Sequence, residues 1–178
     1  PLPLGFLLDL CFGDPHWMPH PVRPIGWLGA WLERLLRGLF PKTPKGERLA
    51  GVFLAVLVPL FTSGAGVLLL WAAYAVHPGL WFVLETLLCY QLLAAKALRV
   101  ESMKVYARLC ANDLPGARQA VSMIVGRDTQ ALTEEGVTKA AVETVAENTS
   151  DGEIAPLLFL ALGGAPLGLF YKAVNTMD

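Results

Sequence analysis

The sequence is poor in charge. Only 16% of its 178 residues are charged, with 14 basic and 15 acidic side chains, whereas a soluble domain carries about a quarter. This deficit excludes an ordinary soluble domain. The net charge of −1 also excludes binding of nucleic acid through bulk positive charge. We therefore expect a membrane protein with no nucleic-acid partner.

Cysteine is also scarce. Cys11, Cys89 and Cys110 are odd in number and far apart in the sequence. This pattern argues against both a disulfide framework and a zinc site. We expect all three to serve as small apolar side chains in the interior.

Common targeting and nucleotide-binding signatures are missing as well. The apolar residues 2–12 lack a basic segment before them, so no cleavable signal peptide is expected. Neither a Walker A sequence nor a GxGxxG sequence occurs, so any bound nucleotide would be held by another scheme.

Long apolar runs are what the sequence has instead. Residues 49–76 carry no charge, and as a helix they would extend about 42 Å, more than the roughly 30 Å of bilayer hydrocarbon. Pro59 and the SGAG run at residues 63–66 leave two possibilities, one tilted span or two shorter pieces. Residues 77–79 (HPG) predict a turn, after which residues 80–95 form a second apolar stretch.

The basic residues flanking these runs predict their orientation. They are Arg23, Arg34, Arg37, Lys42, Lys45 and Arg48 before the first run, and Lys96, Arg99, Lys104 and Arg108 after the second. The turn between the runs has no Lys or Arg. The positive-inside rule therefore predicts that both flanks are cytoplasmic and that the turn lies outside.

Glu85 interrupts the second apolar stretch and has two interpretations. An ionisable residue inside a membrane is costly and marks a candidate functional site. Alternatively, Glu85 lies near the outer interface, a turn or two after Pro78, and extends its carboxylate into the headgroups. The second interpretation is favoured.

The proline-rich residues 13–26 predict an extended, rigid loop, because four of them are prolines. The loop displays Asp14, His16, His20 and Arg23. The two histidines with Asp14 could bind a metal, but their spacing matches no common metal motif. A polar lid that contacts substrate is the favoured interpretation.

An amphipathic helix is predicted for residues 27–40. It carries Trp27, Trp31, Leu35 and Leu39 on one face, with the arginines elsewhere. This pattern suits a position at the membrane surface.

Soluble-looking helices are predicted for residues 100–111, 114–124 and 130–147. Asp113 would cap the second of these helices, and Asp128 or Thr129 the third. The buried face of the third helix is predicted to consist of Val137, Ala141 and Val145 with Ala140 and Val142 alongside.

The most informative region is a polar cluster in this apolar chain. Its members are Arg127, Asp128, Glu143, Glu147, Asn148, Asp151 and Glu153. Glu135, Lys139, Glu143 and Glu147 follow at helical spacing, so one interpretation is a solvated face with weak ion pairs. The other is that Glu143 and Glu147, with Asp151 and Glu153 beyond, form a Mg²⁺ or amine site. Ion pairing is favoured for Glu135 and Lys139, and a functional role for Glu147, Asn148 and Asp151.

The last segment contains a break at residues 163–166 and three polar residues at helical spacing, Lys172, Asn175 and Asp178. Lys172 could neutralise a phosphate or pair with one of the carboxylates, and both interpretations stay open.

With these motifs the chain resembles the adenosylcobinamide-phosphate synthase family, the cobalamin-biosynthesis membrane proteins called CobD or CbiB. The resemblance covers essentially the whole chain. It rests on Asp9 and on residues 13–15, 20–22, 25–26, 48–51, 117–118, 125–129, 142–149, 151–152, 155–157, 171–173 and 175–176. Members of the family are longer, so the sequence is expected to be an N-terminal fragment.

The resemblance implies a multi-pass enzyme of a bacterial or archaeal cell membrane, with its polar site facing the cytoplasm. It would use ATP and Mg²⁺ to join aminopropanol, or its O-phosphate, to a propionate of adenosylcobyric acid through an amide bond. Other cobalamin-pathway enzymes are possible partners. The competing hypothesis is a membrane transporter or a scaffold for corrinoid enzymes.

We assign the following expected roles to the matched positions. Glu147 and Asp151 are catalytic carboxylates and Mg²⁺ ligands, assisted by Asp128 and Glu143. Arg127 and Lys172 would clamp phosphate or propionate. Asn148 and Asn175 would orient the substrate, and Asp14 and His20 would make secondary contacts.

The expected fold is all-α, a polytopic membrane protein with cytoplasmic amphipathic helices. Four regions are expected. Residues 1–26 hold the first apolar segment and the loop, and residues 27–98 the interfacial and transmembrane helices. Residues 99–153 form the cytoplasmic helical region, and residues 154–178 begin the next apolar segment.

Overall fold

The structure is a computed structural model that describes residues 1–15 and 18–177. Within those residues all regular secondary structure is helical, which confirms the all-α prediction. The helices are α1 (Leu2–Phe12), α2 (Val22–Leu39), α3 (Pro44–Val76), α4 (Pro78–Gln91), α5 (Ala95–Cys110), α6 (Leu114–Ser122), α7 (Glu134–Thr149) and α8 (Ala155–Met177). A single π-helical turn, Ser150–Ile154, joins α7 to α8.

Within residues 1–15 and 18–177, three helical stretches are long and apolar enough to cross a membrane. They are Pro44–Val76, Pro78–Cys110 and Glu134–Met177, with mean hydropathies of 2.3, 1.3 and 1.8. The second joins α4 to α5, and the third joins α7 to α8. These stretches support the prediction of a membrane protein.

The first long apolar run forms one helix rather than two. α3 continues through Pro59 without a break, and Thr43 caps its start by accepting a hydrogen bond from the backbone N–H of Gly46 at 3.2 Å. At about 50 Å it exceeds the hydrocarbon thickness. α3 packs on α8, and at Gly66 a Cβ would lie only 2.7 Å from Leu169 Cδ1, so a larger residue there would displace the Leu169 side chain.

The proline-rich loop is shorter than predicted. α2 begins at Val22, so residues 22–26 are helical, because Pro24 lies in the first turn, where a missing N–H costs no intrahelical hydrogen bond. Ile25, Leu32 and Leu36 are buried, whereas the predicted stripe of Trp27, Trp31, Leu35 and Leu39 is exposed. The helix thus has a second apolar face, and a membrane-surface position for the exposed stripe stays a prediction.

A smaller helical unit is formed by α5, α6 and α7, whose shared core comprises Val105, Ala117, Val121, Val137 and Ala140. The predicted capping of α6 by Asp113 is confirmed, since its Oδ1 accepts from the backbone N–H of Gly116 at 2.9 Å.

The predicted start and buried face of α7 were wrong in part. The helix begins at Glu134 with Thr133 as its cap, rather than near Gln130. Its buried residues are Val137, Ala140 and Thr144, while Val142 is 64% exposed. Val137 and Ala140 are buried because α7 packs there against α5 and α6. Thr144, one turn further along α7, is also buried although it is polar.

α8 is broken at Gly163 and Gly164, as the Gly/Pro signal predicted, and Gly164 has a φ of 65°. The Glu85 carboxylate reaches this break. Glu85 is only 6% exposed, and its Oε1 accepts a hydrogen bond from the backbone N–H of Ala165 at 2.7 Å. The favoured prediction of a carboxylate extending to the interface was therefore wrong.

The cysteine prediction holds in part. None of the three forms a disulfide, and Cys89 is buried between α1 and α4. Cys11 and Cys110 are exposed, contrary to the expectation of three interior side chains.

A candidate active-site cleft

An open cleft of about 850 Å³ lies between the start of α5, the loop after α6, the end of α7 and the end of α8. Seventeen residues line it: Ala94, Ala97, Leu98, Glu101, Met123, Ile124, Val125, Gly126, Arg127, Glu143, Thr144, Glu147, Asn148, Asp151, Gly152, Lys172 and Asn175. Clefts of this size are typical of small-molecule sites. We call it the polar cleft.

One wall of the polar cleft is built by two rows of side chains on α7. Glu143, Glu147 and Asp151 follow at intervals of four residues, as do Thr144 and Asn148 beside them, and such residues share a helix face. Asp151, the last residue of the first row, lies in the π-helical turn that follows α7. The prediction that Glu143, Glu147 and Asp151 lie together is therefore supported by the geometry.

The opposite wall carries Lys172 and Asn175, which lie three residues apart on α8. The loop after α6 adds Arg127, whose Nη2 donates to Glu143 Oε2 at 3.1 Å. Arg127 and Lys172 thus line the same polar cleft as the row of carboxylates, and Arg127 contacts Glu143 directly.

The carboxylates differ in how they are paired. Glu143 is held by Arg127 and lies 3.9 Å from the Nζ of Lys139. Among the described residues, no ion pair within 4.0 Å includes Glu147, Asp151 or Lys172. These three charges are therefore available to a ligand, whereas Glu143 is partly committed to the protein.

Two hydrogen bonds to backbone carbonyls hold the cleft wall formed by the end of α7 and the π-helical turn. The hydroxyl of Tyr171 on α8 donates to the backbone carbonyl of Asp151 at 3.1 Å. The amide of Asn148 donates through Nδ2 to the Thr144 carbonyl at 3.0 Å, which leaves its side-chain oxygen unused by that bond.

Three of the sequence-predicted site residues do not line the polar cleft. Asp128 is exposed, and its Oδ1 accepts from the backbone N–H of Gln130 at 3.0 Å, so it shapes a local turn. Asp14 and His20 lie in the loop before α2, and both are close enough to Lys172 for an electrostatic interaction with it.

That loop is tied to the end of α4. The hydroxyl of Tyr90 donates to the Gly13 carbonyl, and Gln91 Nε2 donates to the Pro19 carbonyl at 2.9 Å. His20 Nδ1 accepts from the backbone N–H of Val22 at 3.2 Å. Burial lowers the pKa of the His20 imidazole below its usual value; the Asp14 carboxylate opposes this shift, and the cations of Lys172 and Arg23 add to it.

Sequence reasoning assigned Glu153 to the wrong place and missed Glu101. Glu153 is buried, and its Oε1 accepts from the backbone N–H of Ala94 at 2.7 Å instead of entering the polar cleft. Glu101 lines the polar cleft, and its carboxylate pairs with Lys104 at 2.6 Å. No sequence pattern distinguished Glu101, which lies one turn after Ala97 on α5.

The sequence matches one family model, "CobD/Cbib protein", over residues 2–178. The chain belongs to the CobD/Cbib family. It is 53% identical over 172 residues to a protein of Geobacter metallireducens that bears the name "Cobalamin biosynthesis protein CobD". That match covers 97% of this chain and 53% of the relative.

Proteins of the same name in Pelobacter propionicus and Clostridium perfringens are 46% and 45% identical. Those matches cover 99% and 98% of this chain, and 54% and 55% of the relatives. The chain thus spans about half the length of the curated relatives it matches. No solved structure matches it.

For this CobD/Cbib chain, the donor atoms in the polar cleft fit a hard cation only in part. Glu147 and Asp151 offer carboxylate oxygens one turn apart. However, residues 1–15 and 18–177 contain no group of three or more His, Cys, Asp or Glu that could hold a metal ion. Since Mg²⁺ is often bound by one or two carboxylates together with water and substrate phosphates, the two carboxylates are sufficient for that mode.

Two earlier hypotheses concern residues outside the described part of the chain. His16, the second histidine of the alternative metal site, is one of them, and Asp178, the last residue of the Lys172 row, is the other.

Proposed function

We propose that the polar cleft is the substrate site of a cobalamin-biosynthesis ligase. The reaction would attach aminopropanol, or its O-phosphate, to a propionate of adenosylcobyric acid and consume ATP. Membership of the CobD/Cbib family and the names of the relatives support a role in this pathway. The observation that carries the proposal is the polar cleft itself, in which uncommitted carboxylates face Arg127 and Lys172.

The chemistry needs both kinds of charge. A carboxylate does not react with an amine until it is activated, most simply by taking the γ-phosphoryl group of ATP to give an acyl phosphate and ADP. The amine nitrogen then attacks the acyl carbon, and phosphate leaves as the amide bond forms. The neutral amine nitrogen loses one proton and keeps the other, so one ATP yields ADP, phosphate and one secondary amide.

Arg127 and Lys172 would bind the anionic phosphate and propionate groups. Arg127 suits a planar oxyanion because its guanidinium can donate two parallel hydrogen bonds. Lys172 would act as a point charge on the opposite wall. Both cations line the polar cleft, so a substrate bound to them would have its reacting groups oriented.

Glu147 and Asp151 would hold Mg²⁺ or the ammonium group of the amine. A bound Mg²⁺ would supply neutralisation of the charge on the transferring phosphoryl group. Asn148 and Asn175 would orient polar groups of the substrate. Asp14 and His20 would act through the neighbouring Lys172, and Asp128 would act only on the loop that carries Arg127.

We also propose that the polar cleft faces the cytoplasm, where ATP is available. Basic residues precede α3 and follow α4, while the turn between those helices contains none.

The experiment uses the full-length gene product, purified in mild detergent. It is incubated with adenosylcobyric acid, MgATP and aminopropanol phosphate, and corrinoid mass and ADP are followed together. A mass gain that matches amide formation and needs both ATP and amine supports the ligase. Folded protein that gives neither product would favour the transporter or scaffold.

A further inference from the structure

The start of α5 forms part of the polar cleft but has no cap of its own. Ala94 occupies the capping position and Ala95 begins the helix. Alanine has no oxygen to accept a hydrogen bond from the first backbone N–H groups, which is the role of Ser, Thr, Asp or Asn at this position. Ala94 and Ala97 both line the polar cleft, so a poorly fixed helix start would leave its wall undefined.

Two carboxylates from distant parts of the chain supply the missing acceptors. Asp9 Oδ2 accepts from the backbone N–H of Ala95 at 2.9 Å and from that of Lys96 at 3.4 Å, across 86 and 87 residues. Glu153 Oε1 accepts from the N–H of Ala94 at 2.7 Å, across 59 residues. Both acceptors also lie at the positive end of the helix dipole.

Both carboxylates are removed from water. Asp9 is 1% exposed and Glu153 is 8% exposed. Asp9 Oδ1 is buried without a hydrogen-bond partner among the described residues. An unpaired buried carboxylate oxygen lowers the stability of the fold, so an apolar residue at position 9 would be more stabilising if α1 only had to pack. The presence of Asp9 is explained by its contact with α5.

Glu153 also links this helix start to the opposite wall. Its charge acts on Lys172, which lines the polar cleft from α8. The π-helical turn that carries Glu153 carries Asp151 as well, two residues earlier on the chain. One turn therefore directs Asp151 into the polar cleft and Glu153 into the protein behind it.

We propose that Asp9 and Glu153 are positioning residues that share the capping of α5 and thereby fix the wall of the polar cleft formed by Ala94 and Ala97. This inference rests on the proposed function only for its effect on turnover. Its structural part stands independently of the reaction. The N–H groups of Ala94, Ala95 and Lys96 are occupied by these carboxylates and are therefore not free to bind phosphate in the polar cleft.

The test combines hydrogen exchange with turnover in the full-length gene product. Asp9→Ala and Glu153→Ala remove the acceptors, whereas Asp9→Asn and Glu153→Gln keep an acceptor oxygen and remove the charge. Glu33→Ala is the control, since Glu33 is an exposed carboxylate paired with Arg37 on α2. Exchange is read by mass spectrometry over residues 94–98, with α6 as an internal reference.

In the two alanine variants we expect about tenfold faster exchange over residues 94–98, the effect of losing a helix cap, and little change in α6. Turnover of the two alanine variants should also fall, mainly through a higher KM. The Asn and Gln variants should keep most of the protection and turnover, and Glu33→Ala should resemble the wild type.

Two results would overturn the proposal. One is unchanged exchange over residues 94–98 in folded alanine variants. The other is loss of turnover in Asp9→Asn and Glu153→Gln with protection intact, which would mean that the charge itself is needed. If the alanine variants do not fold, the Asn and Gln variants decide alone. If no variant and no wild type turns over substrate, the exchange data still test the capping while the proposed reaction fails.

Discussion

Glu85 on α4 and Ala165 on α8 are joined by a hydrogen bond of 2.7 Å, although eighty residues separate them in the sequence. Ala165 is the residue at which α8 resumes after its break, so its N–H lacks a partner within the helix. The second half of α8 leads to Lys172 and Asn175. The buried carboxylate thus fixes the helix segment that forms one wall of the polar cleft.

Glu85→Leu should therefore destabilise the protein by about 1–3 kcal/mol, because it leaves the buried N–H of Ala165 without an acceptor. Glu85→Gln keeps a carbonyl oxygen at the same distance and should lose less. The measurement is the thermal unfolding midpoint in detergent, followed by circular dichroism. Equal midpoints for the Leu and Gln variants would contradict this role.

Gly164 lies beside the same hydrogen bond. Its φ of 65° is in the left-handed region, and a Cβ there would lie 2.5 Å from Glu85 Oε1. Gly164→Ala should cost about 1–3 kcal/mol of stability, through backbone strain and displacement of Glu85.

Gly64 offers a matched control, because it lies in α3 with nothing within 4 Å of its Cβ position. Gly64→Ala should leave the unfolding midpoint unchanged or raise it slightly. A Gly164→Ala variant as stable as Gly64→Ala would show that the break in α8 does not require glycine.

Local signals in the sequence were enough for much of the fold. The uncharged run before His77 predicted most of α3, although its start at Pro44 and its continuity through Pro59 were not predicted, and the side chain of Asp113 predicted the start of α6. The i, i+4 spacing of Glu143, Glu147 and Asp151 predicted one shared face, because helix geometry alone determines it.

Contacts between distant segments could not be read in this way. Glu85, Asp9 and Glu153 each accept a hydrogen bond from a helix start at least 59 residues away. No local sequence pattern near Ala94 or Ala165 predicts these hydrogen-bond partners. Glu153 was placed with Asp151 because the two are near in sequence, but the π-helical turn directs them to opposite sides.

The lowered pKa of His20 predicts a dependence of stability on pH. Because burial disfavours the imidazolium in the folded protein, the unfolded chain binds more protons below pH about 6.5. Stability should therefore fall as the pH drops from 7.5 to 5.5. The His20→Gln variant should lose less stability over the same interval.

Unfolding midpoints of both proteins at pH 5.5 and 7.5 check this expectation. If the wild type and His20→Gln lose the same number of degrees, other groups account for the dependence and His20 does not contribute.

The orientation of the chain can be tested with cysteine labelling. Cys110, at the end of α5, and Val76, at the end of α3, are both exposed. A membrane-impermeant maleimide added to intact cells should label a single cysteine at Val76→Cys but not Cys110 alone. Both should react once the membrane is permeabilised. Labelling of Cys110 first would reverse the proposed topology.

The role of the polar cleft is tested most directly by removing its uncommitted charges. Glu147→Gln and Asp151→Asn preserve shape, and the hydrogen bond from Tyr171 is kept because it goes to the backbone carbonyl of Asp151. Glu135→Gln is the control, since Glu135 is an exposed carboxylate on the same helix that does not line the polar cleft. All three should fold and insert like the wild type.

The deciding measurement is the turnover of these three variants in the full-length gene product, by corrinoid mass and ADP release. We expect Glu147→Gln and Asp151→Asn to lose about a hundredfold in turnover, as is typical when one electrostatic contact to a transition state is removed. Glu135→Gln should retain wild-type turnover. Equal turnover in all three variants would contradict the assignment of the polar cleft as the active site.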